Sequence, residues 1–294
     1  MDILNEDKIR IIICSDAKNE ADDQYAIVHA LLTKKFDIKG IVAVHFREEK
    51  TNQLSYDEIV RLAKLTKTYG NYPIVLGANQ KLMNKDTYEV SDGARLIVNE
   101  ALKEDKRPLY VLHIGALTDM AIALLEHPEI SSHLTSIWVG GGRYPNGSEE
   151  CNLKNDLLAA QIVFSSSMEL WQIPSSTYKT TLVSIAELEY KVKPKGSLGL
   201  YLYNQLIDFA TCNKHSKTWI NSEVWIMGDS GAIGVLLDEQ KGYYEEINAP
   251  IINDKYEYLY SSDYRKIRVY KELNNRMIIE DMFSKISLFD LKFK

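Results

Sequence analysis

The sequence predicts an α/β fold, an open and mostly parallel sheet with helices on both faces around a Rossmann-like core. Three observations predict it. Over the first two thirds, short apolar runs alternate with amphipathic segments, the signature of βαβ units. The runs are apolar on both faces, as expected of strands covered by helices on either side. Polar or glycine-rich loops follow the runs where helices begin, the crevice in which open parallel sheets bind ligands. At 294 residues and 45% hydrophobic, the chain can bury a full-sized core. No repeat, low-complexity tract or linker divides it, so residues 1–294 are read as one domain.

Arg10–Cys14 is the first strand, and Asp22–Leu32 a helix with acidic residues in its first turn. Ile38–His45 is the second strand, followed by the polar loop Arg47–Lys50 and a helix from Tyr56 to about Thr68. Ile74–Leu76 is a short strand and Gly93–Leu102 a helix. Leu109–Ile114 is a strand feeding the helix Thr118–Leu125, and Ser136–Val139 a strand that ends in Gly140–Gly142. Leu200–Phe209 reads as helical, and Ser230–Leu237 is a well-patterned helix. Beyond Tyr243 the chain is richer in tyrosine and β-branched residues, which predicts strands joining or capping the sheet.

A formal net charge of −6 argues against a general affinity for nucleic acid or an anionic membrane. The cysteines Cys14, Cys151 and Cys212 lie far apart without metal or redox spacing, which points to a reducing, intracellular setting. The charged N-terminus lacks the apolar stretch of a signal peptide, and no apolar run approaches the roughly 20 residues that span a bilayer. The expectation is a cytoplasmic protein.

Four loci carry candidate chemistry. Directly after the first strand, Asp16, Glu20, Asp22 and Asp23 crowd into eight positions. Like charges raise each other's pKa and destabilise the fold, and a hard cation such as Ca²⁺ or Mg²⁺ is the usual compensation. Helix capping accounts for Asp22 or Asp23 but not for Asp16 and Glu20 as well. The second locus, His113–Asp119, is a strand–glycine–helix junction whose loop carbonyl can complete a calcium shell, with Thr118 otherwise a plain N-cap. The third runs from Gly140 to Asp156; its glycines admit close approach, and Glu150 and Asn152 suit sugar hydroxyls. In the fourth, Asp229 interrupts an apolar stretch just before a helix, as an N-cap or as a remote carboxylate that closes a metal site.

Taken in order, these segments resemble the nucleoside hydrolase family, calcium-dependent enzymes that cleave the N-glycosidic bond of nucleosides. The family's D-x-D-P-G-x-D-D is similar to Asp16-Ala17-Lys18-Asn19-Glu20-Ala21-Asp22-Asp23, and its G-x-L-T-N to Gly115–Asp119. Its M-G-G, E-x-N and D-P-x-A-A resemble Gly140-Gly141, Glu150-Cys151-Asn152 and Asp156–Ala160. Its late H-D resembles Gly228-Asp229. The likeness runs from about residue 8 to about residue 240 and looks like a divergent branch. It implies that Asp23, Asp229 and the Thr118 carbonyl bind Ca²⁺, and that Asp22, Glu150 and Asn152 hold ribose hydroxyls. It also implies a homo-oligomer, dimer or tetramer, acting on a nucleoside or related glycoside.

This chain departs from the family pattern where Lys18 replaces the second aspartate, Asn19-Glu20 replaces P-G, and Gly228 replaces the histidine. Asp16 or Glu20 takes the missing ligand's place, or the metal site is weakened, or the Lys18 charge substitutes for the metal. Asp16 or Asp22 is then the expected base, and His45 a candidate acid for the departing nucleobase. The alternative is a catalytically weak or inactive member that binds a ribosyl or other sugar ligand. A Mg²⁺-dependent phosphatase with Asp16 as nucleophile lacks its second aspartate, and a dinucleotide site lacks G-x-G-x-x-G.

Overall fold

The apolar run Ile11–Ile13 is fully buried because β1 (Ile9–Ser15) lies in the interior of an eight-stranded sheet. The structure is a computed structural model that describes residues 8–215, 222–239, 241–261 and 264–293; the charged N-terminal segment lies outside them. After β1 come α1 (Asp23–Leu31), β2 (Phe36–Ala43), α2 (Asn52–Leu65), β3 (Ile74–Leu76) and α3 (Asp92–Ala101). Next are β4 (Leu109–His113), α4 (Thr118–Glu126), β5 (Thr135–Val139), α5 (Cys151–Asn155), α6 (Leu157–Ser165) and β6 (Glu169–Ile173). The chain continues through α7 (Ser175–Tyr178), β7 (Leu182–Ser184), α8 (Ile185–Lys191), α9 (Gly196–Asn213), β8 (Val224–Ile226) and α10 (Ser230–Leu237). It closes with β9 (Tyr244–Asn248), β10 (Ile251–Ile252), β11 (Tyr258–Leu259), β12 (Lys266–Tyr270) and α11 (Asn275–Phe293).

The strand order is β3-β2-β1-β4-β5-β6-β12-β9, parallel throughout except for the antiparallel edge pair β12–β9. The order reverses between β1 and β4, which makes their carboxyl ends the switch point where ligands bind in such sheets. Alternate strand residues face opposite layers. Ile11, Ile13 and Ile41 pack with α1, α2, α9, α10 and α11, whereas Ile12, Val42 and Val111 pack with α3, α4 and α6. Each fully buried isoleucine contributes about 2 kcal/mol.

Two helices are buried on nearly every side: α1 from Asp23 to Ala30 and α10 from Ser230 to Leu236. They pack against each other, so their N-termini meet at the same end of the sheet. The small residues Ala26, Ala30, Gly231, Ala232 and Gly234 allow this close fit.

The tail departs from the expectation of strands alone. Strands β9 and β12 do join the sheet, but residues 275–293 form a helix. Its buried side chains, Ile278, Ile279, Met282, Phe283 and Ile286, recur at helical spacing, and that periodicity overrides the β-branched composition. The predicted helices near 56–68 and 200–209 are observed as α2 and the longer α9. No helix of the described residues is long and apolar enough to cross a membrane.

Candidate active site

A cavity of about 330 Å³ opens at the switch point, built from the carboxyl ends of β1, β4, β5 and β6 and the start of α10. Strand β1 delivers the acidic loop to it. Ser15 Oγ donates to Asp23 Oδ1 at 2.7 Å, Gln24 Nε2 to the Ala17 carbonyl at 2.6 Å, and the Asn19 amide to the Asp16 carbonyl at 2.7 Å. These bonds fix the loop so that Asp16, Glu20, Asp22 and Asp23 all line the cavity. The antiparallel pair β7–β8 brings in Asp229 from the far end of the sequence, and its amide donates to Asp22 Oδ2 at 3.4 Å.

Asp22 and Asp229 occupy the N-cap positions of α1 and α10, yet neither carboxylate caps its own helix. Capping therefore does not explain them. Instead, oxygens of Asp22, Asp23 and Asp229 lie within 4.8 Å of one another. Burial, reinforced by Asp22 and Asp23, pushes Asp229 well above the ordinary carboxylate range; burial, Asp16 and Asp22 do the same to Asp23. Burial pushes Asp16 up to about 8 and, with Glu20, Asp22 up to about 7. Carboxylates held this way need protons or a cation. The donors are all oxygen, and their separation matches a hard ion with oxygens at roughly 2.3–2.6 Å.

Asp16 sits beside this trio, where Asn19 Nδ2 donates to its Oδ2 at 2.9 Å. Its other oxygen presses on Gly115, where a β-carbon would lie only 2.8 Å away, so the glycine is required by the approach. Lys18 does not enter the cavity. Its half-exposed ammonium turns away, 3.8 Å from buried Glu58, which also accepts from Tyr201 Oη at 2.5 Å. In this arrangement the Lys18 charge faces Glu58 rather than the acidic trio. Lys18 lines a separate groove of about 800 Å³ between α2 and α9, which meets the cavity at Glu20.

Two further expectations are corrected. Thr118 is not at the cavity. It is the first residue of α4, where a carbonyl is directed along the helix toward its own fourth neighbour, and its hydroxyl donates to Asp156 Oδ2 at 2.7 Å. At this junction Ile114 lines the cavity instead. His45 is also outside the cavity lining. Its Nε2 lies 2.9 Å from Thr118 Oγ1, and burial holds its pKa down at about 4, so it is an uncharged structural hydrogen-bonder. Asp156 caps α6 through Ala159 and accepts from the Leu82 amide, a structural role.

Glu150 and Asn152 both line the cavity, with Asn152 Nδ2 anchored on the Val139 carbonyl at 2.8 Å. Glu150, however, is no free acceptor. Its Oε2 accepts from Gly141 at 2.8 Å and Leu153 at 3.1 Å; its Oε1 accepts from Asn152 at 3.2 Å and Tyr178 Oη at 2.8 Å. The sequence reading missed Tyr178. It follows β6, a strand whose end is marked only by Pro174, and the rule that ligands gather beyond strand ends was the available signal. Burial and the adjacent Glu150 charge push the Tyr178 phenol up, so it keeps its proton and donates.

The sequence profile of the inosine-uridine preferring nucleoside hydrolases matches residues 11–280. The pyrimidine-specific ribonucleoside hydrolase RihA of Escherichia coli O1:K1 is 27% identical over 172 residues, 50% of this chain and 54% of that protein. The chain thus matches about half the length of that relative. RihA of Salmonella arizonae is 24% identical over 223 residues, 67% of this chain and 70% of that protein. The solved structure of the purine-preferring ribonucleoside hydrolase from Gardnerella vaginalis superposes with a TM-score of 0.80 at 15% identity, over 96% of this chain and 99% of that one.

Proposed function

The chain belongs to the inosine-uridine preferring nucleoside hydrolase family, and we propose that it hydrolyses the N-glycosidic bond of a nucleoside at the acidic cavity with a bound Ca²⁺. The observation that carries this reading is the convergence of Asp22, Asp23 and Asp229 at the switch point of the sheet. Those three residues would hold the ion. A hard cation held there would supply Lewis acidity toward an attacking water.

Asp16 would serve as the general base for the attacking water. It is buried beside the ion site, and Asn19 orients it. Asp22 and Asn152 orient the 2′- and 3′-hydroxyls, which removes rotational freedom from the sugar before reaction. The ring of carboxylates favours the positive charge that develops on the sugar in an oxocarbenium-like transition state. The nucleobase is left unassigned, because the relatives' names point to pyrimidine in one case and purine in another. A cytoplasmic homo-oligomer, dimer or tetramer, is the proposed setting; the wide spacing of Cys14, Cys151 and Cys212 along the chain supports the compartment, and sedimentation tests the assembly.

The test is a reducing-sugar assay across purine and pyrimidine nucleosides, with Ca²⁺ and with EDTA. Ribose release that EDTA abolishes, and that Asp23→Ala removes, is the expected result. No release from any nucleoside in the presence of Ca²⁺ overturns the proposed activity.

A further inference from the structure

Glu150 has no acceptor position to spare. A carboxylate offers roughly four lone-pair sites, and three backbone amides and the Tyr178 phenol fill all four. A sugar hydroxyl approaching this wall meets an acceptor already in use. The phenol is the only one of the four donors that is not fixed backbone, and it lines the cavity together with Glu150. While its O–H donates to Glu150, the phenol oxygen can still accept a hydrogen bond.

The chain makes room for this ring. A β-carbon on Gly228 would stand 2.7 Å from Tyr178 Cδ2 and 3.3 Å from Cγ, so a side chain before Asp229 and this placement of the ring are mutually exclusive. Thr177 Oγ1 donates to the Tyr270 carbonyl at 2.8 Å, and the Tyr178 amide to the Pro174 carbonyl at 3.0 Å, which fixes the backbone from which the ring projects.

Resting on the nucleoside-hydrolase reading above, we propose that Tyr178 is a specificity-determining residue whose phenol contacts the sugar in place of Glu150, with Glu150 behind it as the positioning residue. With Asp22 and Asn152 on the 2′- and 3′-hydroxyls, the hydroxyl left for Tyr178 is the 5′.

The test compares kcat/KM for a ribonucleoside and its 5′-deoxy analogue in the wild type and Tyr178→Phe, with matched melting curves to show that both fold. The wild type is expected to favour the hydroxylated substrate by about five- to tenfold, the worth of one hydrogen bond. Tyr178→Phe is expected to bring that ratio close to one by losing activity on the ribonucleoside alone. A ratio that persists or grows in the variant means Glu150 takes the hydroxyl directly and overturns the proposal. Equal losses on both substrates make Tyr178 merely structural and overturn it as well. Calorimetric binding of ribose and 5-deoxyribose to the Ca²⁺-loaded proteins reads the same ratio without turnover. A chain that cleaves nothing yet shows this collapse of the ratio loses the proposed reaction and keeps the contact; one that binds neither sugar overturns both.

Discussion

Each carboxylate around the cavity is held differently, and the differences separate their roles. Asp23 and Asp229 are buried among other acids with little neutral support, so removing either takes away an oxygen that no neighbour replaces. Asp229→Asn should lower kcat/KM by more than about 100-fold, the upper end for groups one layer further from a metal, and should weaken Ca²⁺ binding measured by calorimetry. Lys18→Met should change kcat by less than about threefold, because a half-exposed ion pair at 3.8 Å contributes little and lies outside the cavity. His45→Gln should leave the pH–rate profile in place while lowering the melting temperature, since His45 bonds Thr118 rather than substrate. The acidic residues were legible in the sequence because their crowding has no structural use. Thr118 and His45 were misread because spacing places a residue at a strand end without saying which way its side chain or carbonyl points. Glu150 was half legible: its position at the cavity followed from the motif, its filled acceptor sites did not.

Among the elements, α6 shows how the scaffold holds the site from a distance. Asp156 caps its start, and Arg265 closes its end by donating to the carbonyls of Val163 at 3.2 Å, Phe164 at 2.5 Å and Met168 at 2.6 Å. A guanidinium over a helix C-terminus also complements the helix dipole. Arg265→Met should cost about 2–3 kcal/mol in urea unfolding, by removing the guanidinium donor from the Phe164 and Met168 carbonyls (the Val163 carbonyl keeps Ser166), with little change in KM. The same scale explains what the sequence revealed of the fold. Strands β1, β2, β4 and β5 are apolar on both faces and stood out, whereas α11 did not. Its nineteen residues mix Ile278, Ile279 and Ile286 with Arg276, Glu280 and Lys285, and composition outweighed a period that was present. Phe283→Ala should destabilise by about 3–5 kcal/mol, the usual cost of an emptied aromatic site.

For the molecule as a whole, the acidic cavity couples stability to pH. Asp16 and Asp22 have ordinary values of 3.8 and are raised to about 8 and about 7 by folding. Between these limits the folded chain holds protons that the unfolded chain has released. Stability is therefore greatest below pH 4 as far as these groups are concerned, and is lost as pH rises through 7 to 8. A cation that replaces the protons reverses the loss. In chelator, the melting temperature should fall from pH 5 to pH 8, and excess Ca²⁺ should raise it more at pH 8 than at pH 5. A melting temperature indifferent to both would contradict a cation site.

The packing of α1 against α10 has a consequence for how the protein comes into being. Asp22 and Asp229 are 207 positions apart, and α11, the last element, is fastened to α1 by His29 on Asp281 at 2.7 Å and Lys285 on Thr33 at 2.9 Å. During synthesis the acidic loop emerges early, yet its Asp22 and Asp23 can meet Asp229 only after nearly the whole chain has left the ribosome. Nascent chains stalled before α10 should leave Ca²⁺ unbound, and those stalled between α10 and α11 should bind it weakly. A cation bound at Asp22, Asp23 and Asp229 would then act as a late latch, selecting the finished chain over every shorter intermediate.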